Sequence, residues 1–103
     1  MAAKKHKLKI TVYKKFDCKE LPDYAGGCHK VDVGQEFIVK EDGNMPEGFC
    51  YWAWHDIWPA VMTLRFGGDF PYCPSQDGLM YSSCTDGMSP VVFKIERGYR
   101  VLK

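Results

Sequence analysis

The chain has little net charge, no long apolar run, no paired-cysteine knuckle and none of the common catalytic signatures. Each absence removes a class of function. Fourteen lysines and arginines stand against thirteen aspartates and glutamates, a formal charge of +1 over 103 residues. That balance offers no electrostatic footprint for nucleic acid or a membrane surface, so neither is expected as a partner. Basic residues concentrate only at the start, in Met1-Ala2-Ala3-Lys4-Lys5-His6-Lys7, and residues 1–6 are read as a solvated, flexible arm. No apolar stretch approaches the length of a membrane span. The first residues are positive but lack an apolar segment behind them, so no secretory signal is expected and a cytoplasmic location is. Thiols stay reduced there. The five cysteines are an odd number that cannot all pair within one chain, and they are read as thiols or ligands. G-x-S-x-G, the P-loop and the Rossmann glycine pattern are absent, so no nucleotide cofactor is expected and no reaction is named.

What is present suffices for one domain spanning residues 1–103. Hydrophobic residues make up 46% and aromatic residues 15%, which predicts an aromatic-rich core. Leu8, Ile10 and Val12 alternate with polar neighbours and predict a half-buried strand. Gln35 to Lys40 predicts a second, with Phe37 and Val39 on one face and Ile38 on the other. Leu79 to Cys84 and Val91 to Arg97 predict two more, joined through Thr85-Asp86-Gly87-Met88-Ser89. A short helical turn is expected between Cys18 and Tyr24. A long helix is expected from a start near Asn44, Pro46 and Glu47 to a stop at Gly67-Gly68. Its apolar stripe is Cys50, Trp54, Ile57, Trp58, Val61 and Leu64, with Asp56 on the opposite face and His55 packed or hydrogen-bonded at the flank. Pro59 interrupts it and predicts a bend. The sum is an α+β fold, a small antiparallel sheet of about four strands with one Pro-interrupted helix on one face.

Chemistry is sought in the sulfurs. Cys50 falls at the head of the helix, where the positive helix end favours an anionic sulfur; its alternative role is a small buried apolar side chain. Cys28 follows Gly26-Gly27, which let a backbone approach a bound group, and precedes His29. Cys84 ends a strand beside the Asp86-Gly87 turn. Together Cys28, Cys50 and Cys84 make a candidate thiolate site for an iron–sulfur cluster or zinc, although no two lie within one knuckle. His55 and Asp56 are adjacent on a helix, about 100° apart, and are not a ready acid–base dyad.

Several pieces together resemble one family. They are Leu8-Lys9-Ile10-Thr11-Val12, Gly27-Cys28, Val33-Gly34-Gln35-Glu36-Phe37, Pro46-Glu47-Gly48-Phe49-Cys50 and Ala53-Trp54. Further along come Leu64-Arg65-Phe66-Gly67-Gly68-Asp69-Phe70-Pro71, Cys84-Thr85-Asp86-Gly87 and Pro90-Val91. The family comprises cysteine-containing proteins of about this size, common in anaerobic bacteria and archaea, with no established activity. The resemblance implies that Cys28, Cys50 and Cys84 are its pattern cysteines, with Cys18 and Cys73 additions of this chain. Met88-Ser89 stands where the family pattern has Leu-Arg, which weakens any anion-binding role there.

Three functions follow as expectations. One is a metal or cluster site on Cys28, Cys50 and Cys84. Another is metal-free thiol redox chemistry with Cys50 as nucleophile, which requires a pair of Cα atoms within about 7 Å. The third is a non-catalytic module binding a protein partner or a second copy, because Tyr51, Trp52 and Trp58 exceed what one helix needs for its core.

Overall fold

In this computed structural model residues 5–20, 28–70 and 76–98 are described. Four strands, β1 (Leu8–Lys15), β2 (Glu36–Val39), β3 (Leu79–Ser83) and β4 (Val91–Arg97), form one antiparallel sheet in the order β2-β1-β4-β3. A single helix, α1 (Tyr51–Arg65), lies on one face. The α+β architecture agrees with the alternation of apolar residues in the strands.

Register explains the core. Ile10 pairs with Phe37 on one side and Ile95 on the other, and Val12 pairs with Phe93. Leu8, Ile10, Val12, Val39, Phe93 and Ile95 are all sealed from solvent. Full burial of such a side chain contributes roughly 1.5–3 kcal/mol. The helix closes this layer with Ala53, Ile57, Ala60, Val61 and Leu64. The expected stripe holds at Ile57, Val61 and Leu64, with Cys50 and Trp54 partly buried against the core, and is corrected at Trp58. Small Ala53 and Ala60 occupy the contact line and let the helix axis approach the sheet, whereas Trp58 is 41% exposed and Trp54 only half-buried.

The helix start is also corrected. It begins at Tyr51 with Cys50 as N-cap in extended conformation, not near Asn44. Gly48 has φ +81°, and the Phe49 N–H donates to the Pro46 carbonyl, so residues 46–49 form a turn before the helix. The Asn44 N–H is engaged by Asp42 Oδ1 in the turn after β2. The stop at Gly67-Gly68 is as expected. Gly67, at φ +89°, donates to the Leu64 carbonyl and Gly68 donates to the Thr63 carbonyl, which is the paired closure of a Schellman ending. Pro59 lies within one continuous helix, and Thr63 Oγ1 donates to its carbonyl at 2.9 Å.

Two arginines fasten the far end of the helix. Arg97, closing β4, donates from Nη1 to the Leu64 and Gly68 carbonyls and from Nη2 to Asp69 Oδ1 at 2.7 Å. Asp69 also accepts the Gly78 N–H, and this bond, with the Arg97 guanidinium, holds its carboxyl below the ordinary 3.8 despite some loss of solvent. Arg65 is 7% exposed, with its guanidinium on the Glu41 carbonyl, so it joins the end of the helix to the turn after β2. The Phe66-Gly67-Gly68-Asp69 run is thus a structural clasp.

The opposite sheet face is open. A register shift between Val12 and Lys14 inserts Tyr13 as a bulge, so Tyr13 and Lys14 both border a recess with Phe16, Tyr81 and Val92. Tyr13 and Tyr81 meet edge to face, centroids 5.1 Å apart.

Candidate functional site

Topology brings the thiols to one pole. Lys15, ending β1, pairs with Val91, which starts β4; Ser83, ending β3, pairs with Val92; Thr11 pairs with Glu36, which starts β2. The helix N-terminus is tied to the same pole. Trp52 Nε1 donates to Thr85 Oγ1 at 2.6 Å, and the Thr85 N–H and hydroxyl both donate to Asp56 Oδ2, at 2.6 and 3.0 Å. Cys18, Cys28, Cys50 and Cys84 come from four chain segments and all lie at this end.

Each of the four is half-buried and unpaired by disulfide. The Cys84 N–H donates to the Val91 carbonyl, and the Val91 N–H donates to Cys84 Sγ at 3.3 Å. That reciprocal pair closes the β3–β4 connection. Cys28 Sγ accepts the Lys30 N–H at 3.4 Å, and the following Val31 is held through its carbonyl by Lys15 Nζ at 2.8 Å. The Cys18 thiol donates to the Gly87 carbonyl at 3.1 Å, and its N–H donates to the Met88 carbonyl. Cys50 makes no side-chain capping bond. Cys28, Cys50 and Cys84 all pack against the core. Among the described residues, no group of three or more histidine, cysteine, aspartate or glutamate side chains is placed to hold a metal ion. Gly26, Gly27, Cys73, and most of the helical turn expected before Tyr24 lie outside the described residues.

His55 and Asp56 differ from expectation in opposite directions. The Asp56 side chain is 9% exposed and is consumed by Thr85, whereas the His55 side chain is 90% exposed instead of packed. Their nearest contact, Nδ1 to Oδ1, is 3.7 Å. Trp52 and Asp56 are one helical turn apart, but their joint partner Thr85 lies 33 and 29 positions away, a distance no local pattern spans.

A second feature lies on the outward side of α1. Tyr51, Trp54, His55, Trp58 and Pro59 line a shallow groove along the helix. Tyr51 is 81% exposed and, beside the groove, Trp52 is 54% exposed. Trp54 and Trp58 meet edge to face at 5.5 Å, and Trp54 in turn meets Phe49, which touches Phe93 in the core. The rings therefore run without a break from core to surface. A surface helix ordinarily turns charged residues outward. Here the helix holds no lysine or glutamate, and its Asp56 and Arg65 are turned onto Thr85 and Glu41.

No helix among the described residues is long and apolar enough to cross a membrane. Comparison with family models, with curated proteins and with solved structures gave no match.

Proposed function

We propose that the domain is a non-catalytic interaction module whose binding surface is the outward aromatic side of α1. One observation carries this reading. The core is complete without Tyr51, Trp52 and Trp58, yet all three stand in solvent at 81%, 54% and 41% exposure. Tyr51 and Trp58 border one groove with Trp54, and Trp52 lies beside it; exposed large rings favour association, since each offers ~150–250 Å² of contact at low cost in side-chain entropy. The test is photo-crosslinking in producing cells, with a reactive side chain introduced at Tyr51, at Trp58 or at Thr11 on the other sheet face. Discrete adducts are expected from positions 51 and 58 and not from 11. Adduct-free helix positions would refute the module.

A second reading is a thiolate centre for zinc or an iron–sulfur cluster on Cys28, Cys50 and Cys84, which would have to move together to share one ion. It is supported by their arrival at one pole and by backbone N–H groups already donating to two of the sulfurs, the kind of bond that tunes metal-bound thiolates. The alternative of metal-free thiol redox uses the same pole, with Cys50 as nucleophile. Protein purified without oxygen is expected to carry metal, with acid-labile sulfide if a cluster, and Cys50→Ser is expected to lose it while Cys18→Ser keeps it. A colourless, metal-free and normally folded protein removes the thiolate centre.

A further inference from the structure

Away from the aromatic side of α1, we propose that the free edge of β2 takes up an extended, basic peptide segment of a partner protein as an added strand. The order β2-β1-β4-β3 leaves β2 outermost. The Val12 N–H donates to the Gln35 carbonyl at 2.9 Å, and directly opposed residues alternate between bonded and non-bonded pairs. Ile10–Phe37 and Leu8–Val39 are therefore the bonded pairs, and the N–H and C=O groups of Glu36 and Ile38 point away from β1. Among the described residues those groups have no partner. Their complement is another strand, which offers acceptors and donors at the same two-residue period.

The edge also has a facing wall. The Gly43 N–H donates to the Lys40 carbonyl at 2.9 Å, and the turn so closed leads residues 42–47 back beside the strand. Edge and returning segment border a groove of about 370 Å³, within the ~300–1,000 Å³ of ligand clefts. Ile38, 41% exposed, gives it an apolar side together with Met45 and Pro46. Charge sets the sign of the occupant. Glu36, Asp42 and Glu47 border the groove against Lys40 alone. Glu36 meets Lys9 at 3.6 Å, and Glu47 makes no ion pair among the described residues. This excess of carboxylate selects lysine or arginine from the incoming strand. A basic side chain opposite Glu36 and an apolar one opposite Ile38 complement the two exposed side chains of β2.

The probe is a five-residue peptide of alternating lysine and valine, with both ends blocked. Pairing along so short a strand is weak, and titration to about 5 mM brackets a dissociation constant near 1 mM. Amide hydrogen exchange at Glu36 and Ile38 is expected to slow at least threefold with peptide present, and at Phe37 and Val39, already bonded to β1, to stay unchanged. Methylating one alternate set of peptide amides should abolish the effect, and methylating the other set should leave it. Glu47→Lys should weaken binding at least threefold. Ile38→Pro should abolish it with an unchanged circular dichroism spectrum, since the N–H it removes faces outward. Equal binding of a glutamate–valine peptide, indifference to both methylation patterns, or slowing centred on α1 overturns the proposal. So does protection of Glu36 and Ile38 without peptide in a protein of doubled mass, which gives the edge to a second copy. The groove and the aromatic face share no residue, so each of these results leaves the α1 reading to its own crosslinking test.

Discussion

Replacing Phe93 with alanine is expected to cost about 3–5 kcal/mol, the range for truncating a fully buried aromatic ring. Phe93 is 1% exposed on a central strand, opposite Val12 on one side and Ser82 on the other. Its ring centroid lies 5.2 Å from that of Phe49, which also meets Phe37 at 4.9 Å. Removing it withdraws the ring against which Phe49, the hub between Phe37 and Trp54, is packed, and the paired strands on either side limit collapse into the space. A domain of this size has about 5–15 kcal/mol in all. The variant should unfold at a midpoint lowered by more than about 10 °C, since each kcal/mol shifts a small domain by roughly 4–8 °C. Phe93→Leu should lose less than half as much. Thermal unfolding of the three proteins is the measurement. A cost below about 1 kcal/mol for alanine would place the centre of the core elsewhere.

The second large effect is at Gly43. Its φ is +75°, and a methyl group there would stand 2.6 Å from Arg65 Cζ and 2.8 Å from Nε and Nη1. The end of an arginine normally swings aside at little cost. Here it is 7% exposed, bonded to the Glu41 carbonyl through Nε and Nη2, and lies over the Phe66 ring at 4.8 Å. Displacing it orphans a carbonyl and breaks the tie between β2 and the end of α1. Gly43→Ala should therefore cost about 2–4 kcal/mol, of which only about 1 kcal/mol is left-handed backbone strain. Arg65→Ala should cost a similar ~2–4 kcal/mol through lost packing and lost bonds. The two costs are strongly non-additive, because once Arg65 is gone the added methyl has nothing to displace. Urea unfolding of both single variants and the double variant measures this. The double should sit within about 1 kcal/mol of Arg65→Ala, and full additivity would show that the close approach does not matter.

How far local pattern reaches is visible element by element. Leu8-x-Ile10-x-Val12 and Val91-x-Phe93-x-Ile95 read as strands because period-two burial is written in adjacent residues. Gly67-Gly68 read as a helix stop because the left-handed turn it supplies is a local property. The helix start was misplaced because Asn44, Pro46 and Glu47 carry generic start signals, while Gly48 at φ +81° redirects the chain afterwards. The stripe was misassigned at Trp58 because hydrophobicity ranks tryptophan above alanine, whereas Ala53 and Ala60 join Ile57, Val61 and Leu64 on the buried face. At the thiol pole, the sequence marked Cys28, Cys50 and Cys84 as special but not what surrounds them. Thr85, which pins the helix to the hairpin through Asp56 and Trp52, bears no local mark.

The order of residues alone determined that this chain makes one aromatic-rich α+β layer pair, since alternation and helical spacing are properties of neighbours. Strand order β2-β1-β4-β3, the arrival of thiols from four segments at one pole, and the turning of three rings outward were decided only in three dimensions. The reason is physical. Burial on a helix is set by how closely its axis can approach a particular sheet, and that distance depends on side chains supplied by strands far away in the chain.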